Sequence, residues 1–459
     1  MFETKRSRRG MVTASHHLAA EAGLAVLREG GNAIEAMIAA AATISVVYPH
    51  MNGLGGDGFW LISTPEARAP LAISGVGAAG AAVDEEFYRS KGLNAVPSRG
   101  PLAANTVAGT LSGWLAALEI SAGWGGTMAL PRLLEDAIWH ATEGSVVTAG
   151  QNRLTDAKRG ELEDVPGWAE IFLPGGVVPL VGETFKQPAL AETLAHLAKA
   201  GLDDFYRGDL ARKIAADLAR AGSPVTAGDL AGHRVMMPEP LSVSLKSGKV
   251  FNVPPPSQGL ASLIILALFD RLGCVQAEGF DHLHAIVEAT KHAILVRDRE
   301  VTDPARMTTD PAALLTPAVL DALAAKIDKR IALPWPVEAK PGDTVWLGAV
   351  DGEGRAVSFI HSIYWEFGSG TVLRDTGIQW QNRGSSFALD PGAQNHIHPG
   401  RLPFHTNNPA LALLADGRVM VYGAMGGEGQ PQSQSAVYSR YAMFGQDLQA
   451  SITAPRWVL

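Results

Sequence analysis

Thr344 stands where a threonine could act as a nucleophile. It follows a stretch with prolines at 334, 336 and 341 that ends in Gly342 and Asp343, and it opens an alternating run through Val345, Trp346 and Leu347. A threonine hydroxyl is weak on its own. Cutting the bond between Asp343 and Thr344 would free an α-amine beside it, and a pKa of about 7.7 to 8.0 suits that amine as a base near neutral pH. A turn at 352–354 folds residues 355–364 back as a second strand, which brings His361 or Ser362 opposite Thr344, depending on a one-residue choice of register. Ser362 would add an orienting hydroxyl. Gly426 and Gly427 lie between a strand-like run at 418–422 and a helix opening at Gln430 and Pro431. Paired glycine N–H groups at a helix start can face a developing oxyanion without side chains in the way. Each feature also has a plain explanation as a strand start or a tight turn, and chemistry requires all of them in one place.

Other patterns carry less. Gly53, Gly55 and Gly58 match G-x-G-x-x-G, but a helix precedes and a strand follows, the reverse of a dinucleotide fingerprint, so a close backbone turn is expected. The pairs His16/His17, His282/His284 and His396/His398, with His405, invite a metal. Thirteen histidines make such pairs common by chance, there is no H-E-x-x-H, and Glu288 between His284 and His292 fits one polar helix face. Neither a metal nor a cofactor is expected. Cys274 is the only cysteine, so no intrachain disulfide can form, and it is expected to be a small core residue. No G-x-S-x-G elbow supports a serine hydrolase.

The elements that must position these residues follow from composition and period. The 459 residues carry 38 Lys and Arg against 46 Asp and Glu, a net charge of −8, with 47% hydrophobic and only 18% charged residues. That describes a large buried interior without the basic footprint of a nucleic-acid binder. The basic cluster Lys5, Arg6, Arg8 and Arg9 lacks an apolar segment behind it and is expected to be a solvated tail. No apolar run reaches the roughly 18 residues of a membrane span, so no membrane partner and a cytoplasmic location are expected. Helical spacing marks residues 18–29, with Ser15 as N-cap, and 33–47, capped by Asn32. Further helices are expected at 111–119, 130–143, 189–200, 209–221, 260–269, 281–300 and from 430 to about 444, and strands at 59–63, 71–74, 344–351 and 355–364. Residues 331–343 are expected to be an exposed linker.

Longer motifs add a family. They include the runs at 11–16, 30–36 and 49–58, Thr106 to Gly109, Asn252 to Gly259, and His284 through Glu288 and Lys291 to Arg299. Through them the chain resembles, nearly end to end, the γ-glutamyltransferase superfamily of N-terminal-nucleophile hydrolases. The resemblance implies an α/β (α+β) fold, a four-layer αββα sandwich, and autocleavage into a large subunit, 1–343, and a small subunit, 344–459, that share one core. Further dimerisation stays open. It also implies a catalytic Thr344, a second hydroxyl at Ser362 and an oxyanion hole at Gly426 and Gly427. Relatives continue for tens of residues past Leu459, so C-terminal truncation is expected.

The departures bear on substrate. Where γ-glutamyl enzymes hold the α-amine with Asn, Gln and Asp, this chain has Tyr364, Arg383 and Ser386. The α-carboxylate partners are replaced by the region 81–86 and by His405 and Thr406. Losing a carboxylate and gaining an arginine favours an anionic acyl group without an amine. The segments 343–346, 358–364, 380–383, 404–406 and 425–432 look most like the oxamate amidohydrolase branch, which implies hydrolysis of oxamate to oxalate and ammonia in purine or allantoin catabolism. Arg383 is the main expected substrate ligand, with Tyr364, His405, Thr406 and Ser386 around it. The alternatives are a glutathione hydrolase or γ-glutamyltransferase, a non-catalytic binding protein, and a nucleotide-dependent oxidoreductase.

Overall fold

The computed structural model describes residues 3–335 and 344–459. In chain order the strands are β1 (Met11–Thr13), β2 (Asp57–Ser63), β3 (Leu71–Gly75), β4 (Ser145–Val146), β5 (Thr184–Phe185), β6 (Leu241–Leu245), β7 (Gly248–Asn252), β8 (Val345–Val350), β9 (Ala356–Ser362), β10 (Ala410–Leu414) and β11 (Val419–Tyr422). They form a five-stranded sheet, β1-β8-β9-β2-β3, a four-stranded sheet, β11-β10-β7-β6, and the small pair β4-β5, with every pairing antiparallel.

Alternation along the strands builds four layers. In β2 and β8, Trp60, Ile62, Val345, Leu347 and Ala349 pack against the helices of one outer layer. Their sequence neighbours Phe59, Leu61 and Trp346 turn the other way and meet Phe251, Val253 and Leu411 of the second sheet. That sheet's opposite face, with Val250, Ala410 and Ala412, covers the helices Gly259–Leu272 and Phe280–Glu300. The order is therefore helix, sheet, sheet, helix. The helix Ala33–Val47 is buried at every position, as its composition requires, and Asn32 closes a capping box with Glu35.

Two local expectations are corrected. His16, not Ser15, caps the first helix, His17–Arg28, because its Nδ1 accepts the Leu18 N–H. Glu288, expected on a polar helix face, is buried there, 2.6 Å from Lys291 Nζ, and accepts the Leu333 N–H, which holds the start of the proline-rich stretch. Cys274 is half-buried just beyond a helix end rather than in the core, with Sγ 3.4 Å from the Asp281 carbonyl. The linker expected at 331–343 lies outside the described residues from 336 onward, and Asp343 with it. No described helix is long and apolar enough to cross a membrane.

Candidate active site

The sheet-to-sheet seam ends where several strands stop together. Val345 pairs with His361, so the continuing register sets Thr344 against Ser362. The open choice between His361 and Ser362 is thereby decided for Ser362, and Thr344 Oγ1 lies 3.2 Å from Ser362 Oγ. His361 points to the helical side, where Nε2 lies 2.8 Å from the Gly53 carbonyl; burial lowers its pKa to about 4, so it stays neutral. From the second sheet, Asn407, just before β10, brings Oδ1 to 3.4 Å from Thr344 Oγ1. Gln430, first residue of the helix Gln430–Tyr438, brings Nε2 to 3.4 Å. Asn407 and Gln430 were not singled out from sequence, since only the fold joins positions 63 and 86 residues away from Thr344.

Gly426 and Gly427 form the turn before that helix, with φ of +103° and +51°, a left-handed path that glycine adopts without a Cβ penalty. The Gly427 carbonyl accepts from Gln258 Nε2 at 2.9 Å, and the other side of that amide, Oε1, accepts from Arg297. Arg297 in turn reaches Glu428 Oε2 at 2.7 Å. This chain braces the turn from the helix Phe280–Glu300.

The glycine loop 53–58 lies under Ser362. A Cβ on Gly56 would come within 2.3 Å of the Ser362 carbonyl, and one on Gly55 within 2.2 Å of the Gln379 carbonyl. These close backbone approaches account for the glycines, and the dinucleotide alternative has no support in this setting.

Arg383 is fully buried. Its Nη1 donates to Thr406 Oγ1 at 3.3 Å, its Cζ lies 3.8 Å from the centroid of the Tyr364 ring, and Nε and Nη2 have no hydrogen-bond partner among the described residues. Burial lowers its pKa to about 10, against the attraction of Tyr364 and Asp57, which leaves it charged at neutral pH. Tyr364 itself sits at φ +84°, a costly conformation for a tyrosine, and its N–H donates to Ser362 Oγ at 2.9 Å. His405 is buried with Nε2 3.0 Å from Asp57 Oδ2, although the two are out of line for a full hydrogen bond. Ser386 is turned to the Phe404 carbonyl at 3.4 Å. The structure thus gathers Thr344, Ser362, Tyr364, Arg383, His405 and Thr406 through contiguous contacts, while Ser386 is engaged with backbone at their edge. Asp84, in the region 81–86, caps the short helix Glu85–Arg89.

A strand-opening threonine buried between two sheets, with a hydroxyl at 3.2 Å, sits in an αββα sandwich of the N-terminal-nucleophile hydrolase type. Residues 19–459 match the gamma-glutamyltranspeptidase family, and the chain belongs to that family. It is 54% identical to the oxamate amidohydrolase proenzyme of Klebsiella pneumoniae, over all of this chain and 87% of that protein. It is 39% identical to the glutathione hydrolase-like YwrD proenzyme of Bacillus subtilis, over 98% of this chain and 84% of that one. The solved structure of cephalosporin acylase from Bacillus halodurans superposes with a TM-score of 0.91 at 34% identity, covering 99% of this chain and 85% of the other. The chain is accordingly a hydrolase of amide C–N bonds.

Proposed function

We propose that the chain cuts itself between Asp343 and Thr344, leaving subunits 1–343 and 344–459 in one core, and then hydrolyses a small anionic amide, with oxamate as the preferred substrate. The observation that carries the substrate class is Arg383: a charged guanidinium enclosed beside the Thr344 cluster, with two nitrogens still able to donate. Such a group fits a carboxylate by a paired, planar contact and repels the ammonium of a γ-glutamyl substrate. The 54% identity to an oxamate amidohydrolase proenzyme points the same way; a place in purine or allantoin catabolism is what the family resemblance of the motifs implies.

In this mechanism Thr344 Oγ attacks the amide carbon while the Thr344 amine takes the hydroxyl proton, with Ser362 orienting the nucleophile. The Gly426 and Gly427 N–H groups hold the oxyanion. The C–N bond breaks, the amine returns its proton to the leaving nitrogen, and ammonia departs. Water then attacks the acyl-threonine ester, again with the amine as base, and oxalate leaves.

Two measurements test this. Intact mass should show two fragments divided before Thr344; an uncut chain that hydrolyses oxamate would refute the mechanism. Ammonia release from oxamate should exceed turnover of a γ-glutamyl chromophore, and the opposite ranking would favour the glutathione hydrolase alternative.

A further inference from the structure

Asp57 is a buried ionisable group with no part in the steps above. It is fully enclosed at the start of β2, directly across from Ser362, so Thr344, Ser362 and Asp57 stand in a row on three adjacent strands. Its Oδ1 accepts the N–H groups of Gly77 at 3.1 Å and Gly109 at 2.9 Å. Its Oδ2 faces His405 Nε2 at 3.0 Å. Thr406, next along the chain, carries the hydroxyl that Arg383 contacts.

The groups facing this carboxyl come from several elements. Arg383 attracts it, the Gln381 amide lies against it, and the Tyr206 phenol is close enough to feel its charge. Tyr364 faces Arg383, with Glu428 and Arg297 near it. Before substrate arrives, and above its own titration, Asp57 carries a negative charge that Arg383 attracts. A substrate carboxylate on the guanidinium would put two anions around one cation in a low-dielectric enclosure, and like charges at such a site do not both stay ionised.

The imidazole can face the carboxyl in either of its protonation states. With Asp57 ionised, a proton on His405 Nε2 faces Oδ2; with Asp57 protonated and the imidazole proton on Nδ1, the carboxyl can donate to Nε2 instead. Both states keep His405 neutral. Burial pushes Asp57 up to about 7, against the pull of the Gly109 N–H and Arg383, and burial with Arg383 holds His405 well below its ordinary value.

We infer that Asp57 is a proton-accepting positioning residue for the acyl pocket: as an anionic acyl group docks on Arg383, Asp57 takes one proton from solvent, and its carboxyl turns to bring that proton into line with His405 Nε2, 3.0 Å away. The site then admits a carboxylate-bearing amide together with a proton and remains charge-balanced. This inference rests on Arg383 as the carboxylate ligand.

The test is the pH profile of kcat/KM, from about pH 5.5 to about 9.5, for the processed enzyme with oxamate and with its neutral diamide, oxamide. Because kcat/KM reports the free enzyme's groups, the oxamate profile should rise with the Thr344 amine and fall toward about tenfold per pH unit on the alkaline side of Asp57's titration. The kcat profile should keep only the rise. Oxamide should show no alkaline fall, and in Asp57→Asn the fall with oxamate should vanish while the acid limb stays. A flat alkaline limb for wild type with oxamate, or a fall that persists in Asp57→Asn, would overturn the inference while leaving Arg383 as ligand. Oxamide turned over as efficiently as oxamate at every pH would overturn both. The wild-type comparison decides even where Asp57→Asn does not fold.

Discussion

Arg383 holds a position that stability alone does not explain. A guanidinium without exposure and with two nitrogens unpartnered among the described residues is costly to bury, and its pKa lowered to about 10 reflects the same cost. Arg383→Met should therefore leave the melting temperature unchanged or raise it, while kcat/KM for oxamate falls at least about 30-fold, the loss of roughly 2 kcal/mol or more from an unmade charged hydrogen-bond pair. A melting temperature several degrees lower with oxamate turnover intact would make Arg383 structural. On the proposed mechanism, alanine at Thr344 removes both the hydroxyl and the processing chemistry: Thr344→Ala should run as one uncut chain, with kcat reduced on the order of 10⁶-fold, as for removal of other nucleophiles. Cleaved Thr344→Ala protein would show that another group cuts the chain.

The elements supply tolerances that single residues cannot. The loop 53–58 passes so close beneath the end of β9 that any Cβ at Gly56 must displace the backbone holding Ser362. Gly56→Ala should cost about 1 to 3 kcal/mol by overpacking and slow precursor cleavage, read by a thermal melt and by the cleaved fraction over time. Gly160→Ala, in the helix Ala149–Leu162 with open space at its Cβ position, should be neutral or slightly stabilising. Equal effects at the two sites would refute the packing argument. The β8–β9 hairpin was legible from its alternation, yet its register was not, since the sequence permits a slip of one and only pairing with the rest of the sheet selects Ser362. β6 carries a readable alternation of Leu241, Val243 and Leu245 with serines between. β10 is apolar at every position, where periodicity cannot separate strand from helix. Asp57 was hidden for another reason: its partner His405 is brought to it from far along the chain.

Across the whole molecule, the two sides of Thr344 share both large sheets and interleave in the five-stranded one. β8 and β9 lie between β1 and β2, and β10 and β11 extend β7 and β6, so 344–459 cannot bury its apolar faces without the rest of the chain. The change from helical to β period at Thr344 suggests a domain boundary, and the interleaving appears only when distant strands are paired. The shared interior also sets the response to acid. His50, His233 and His361 are buried with pKa values lowered to about 3, about 4 and about 4, in each case first by burial, and His405 lies well below its ordinary value. Unfolded, all four would titrate near 6.5. As pH falls below about 6.5 the unfolded state therefore binds protons that the native state refuses, and stability drops by up to about 1.4 kcal/mol per pH unit for each histidine, until the folded values are reached. Asp57 acts with the opposite sign. Its folded pKa, raised to about 7 chiefly by burial, lets the native state bind a proton between about pH 7 and 4 that the unfolded chain does not, offsetting one of the four. These five groups together give a loss equivalent to about three protons, and His16, lowered to about 4 first by burial, adds a fourth, so calorimetry should show melting temperatures that are level near pH 7.5 and fall ever more steeply from about pH 6.5 to 5. His233→Gln should make that fall shallower by about one proton's worth, and a melting temperature independent of pH across this window would show that these histidines are not held neutral by the fold.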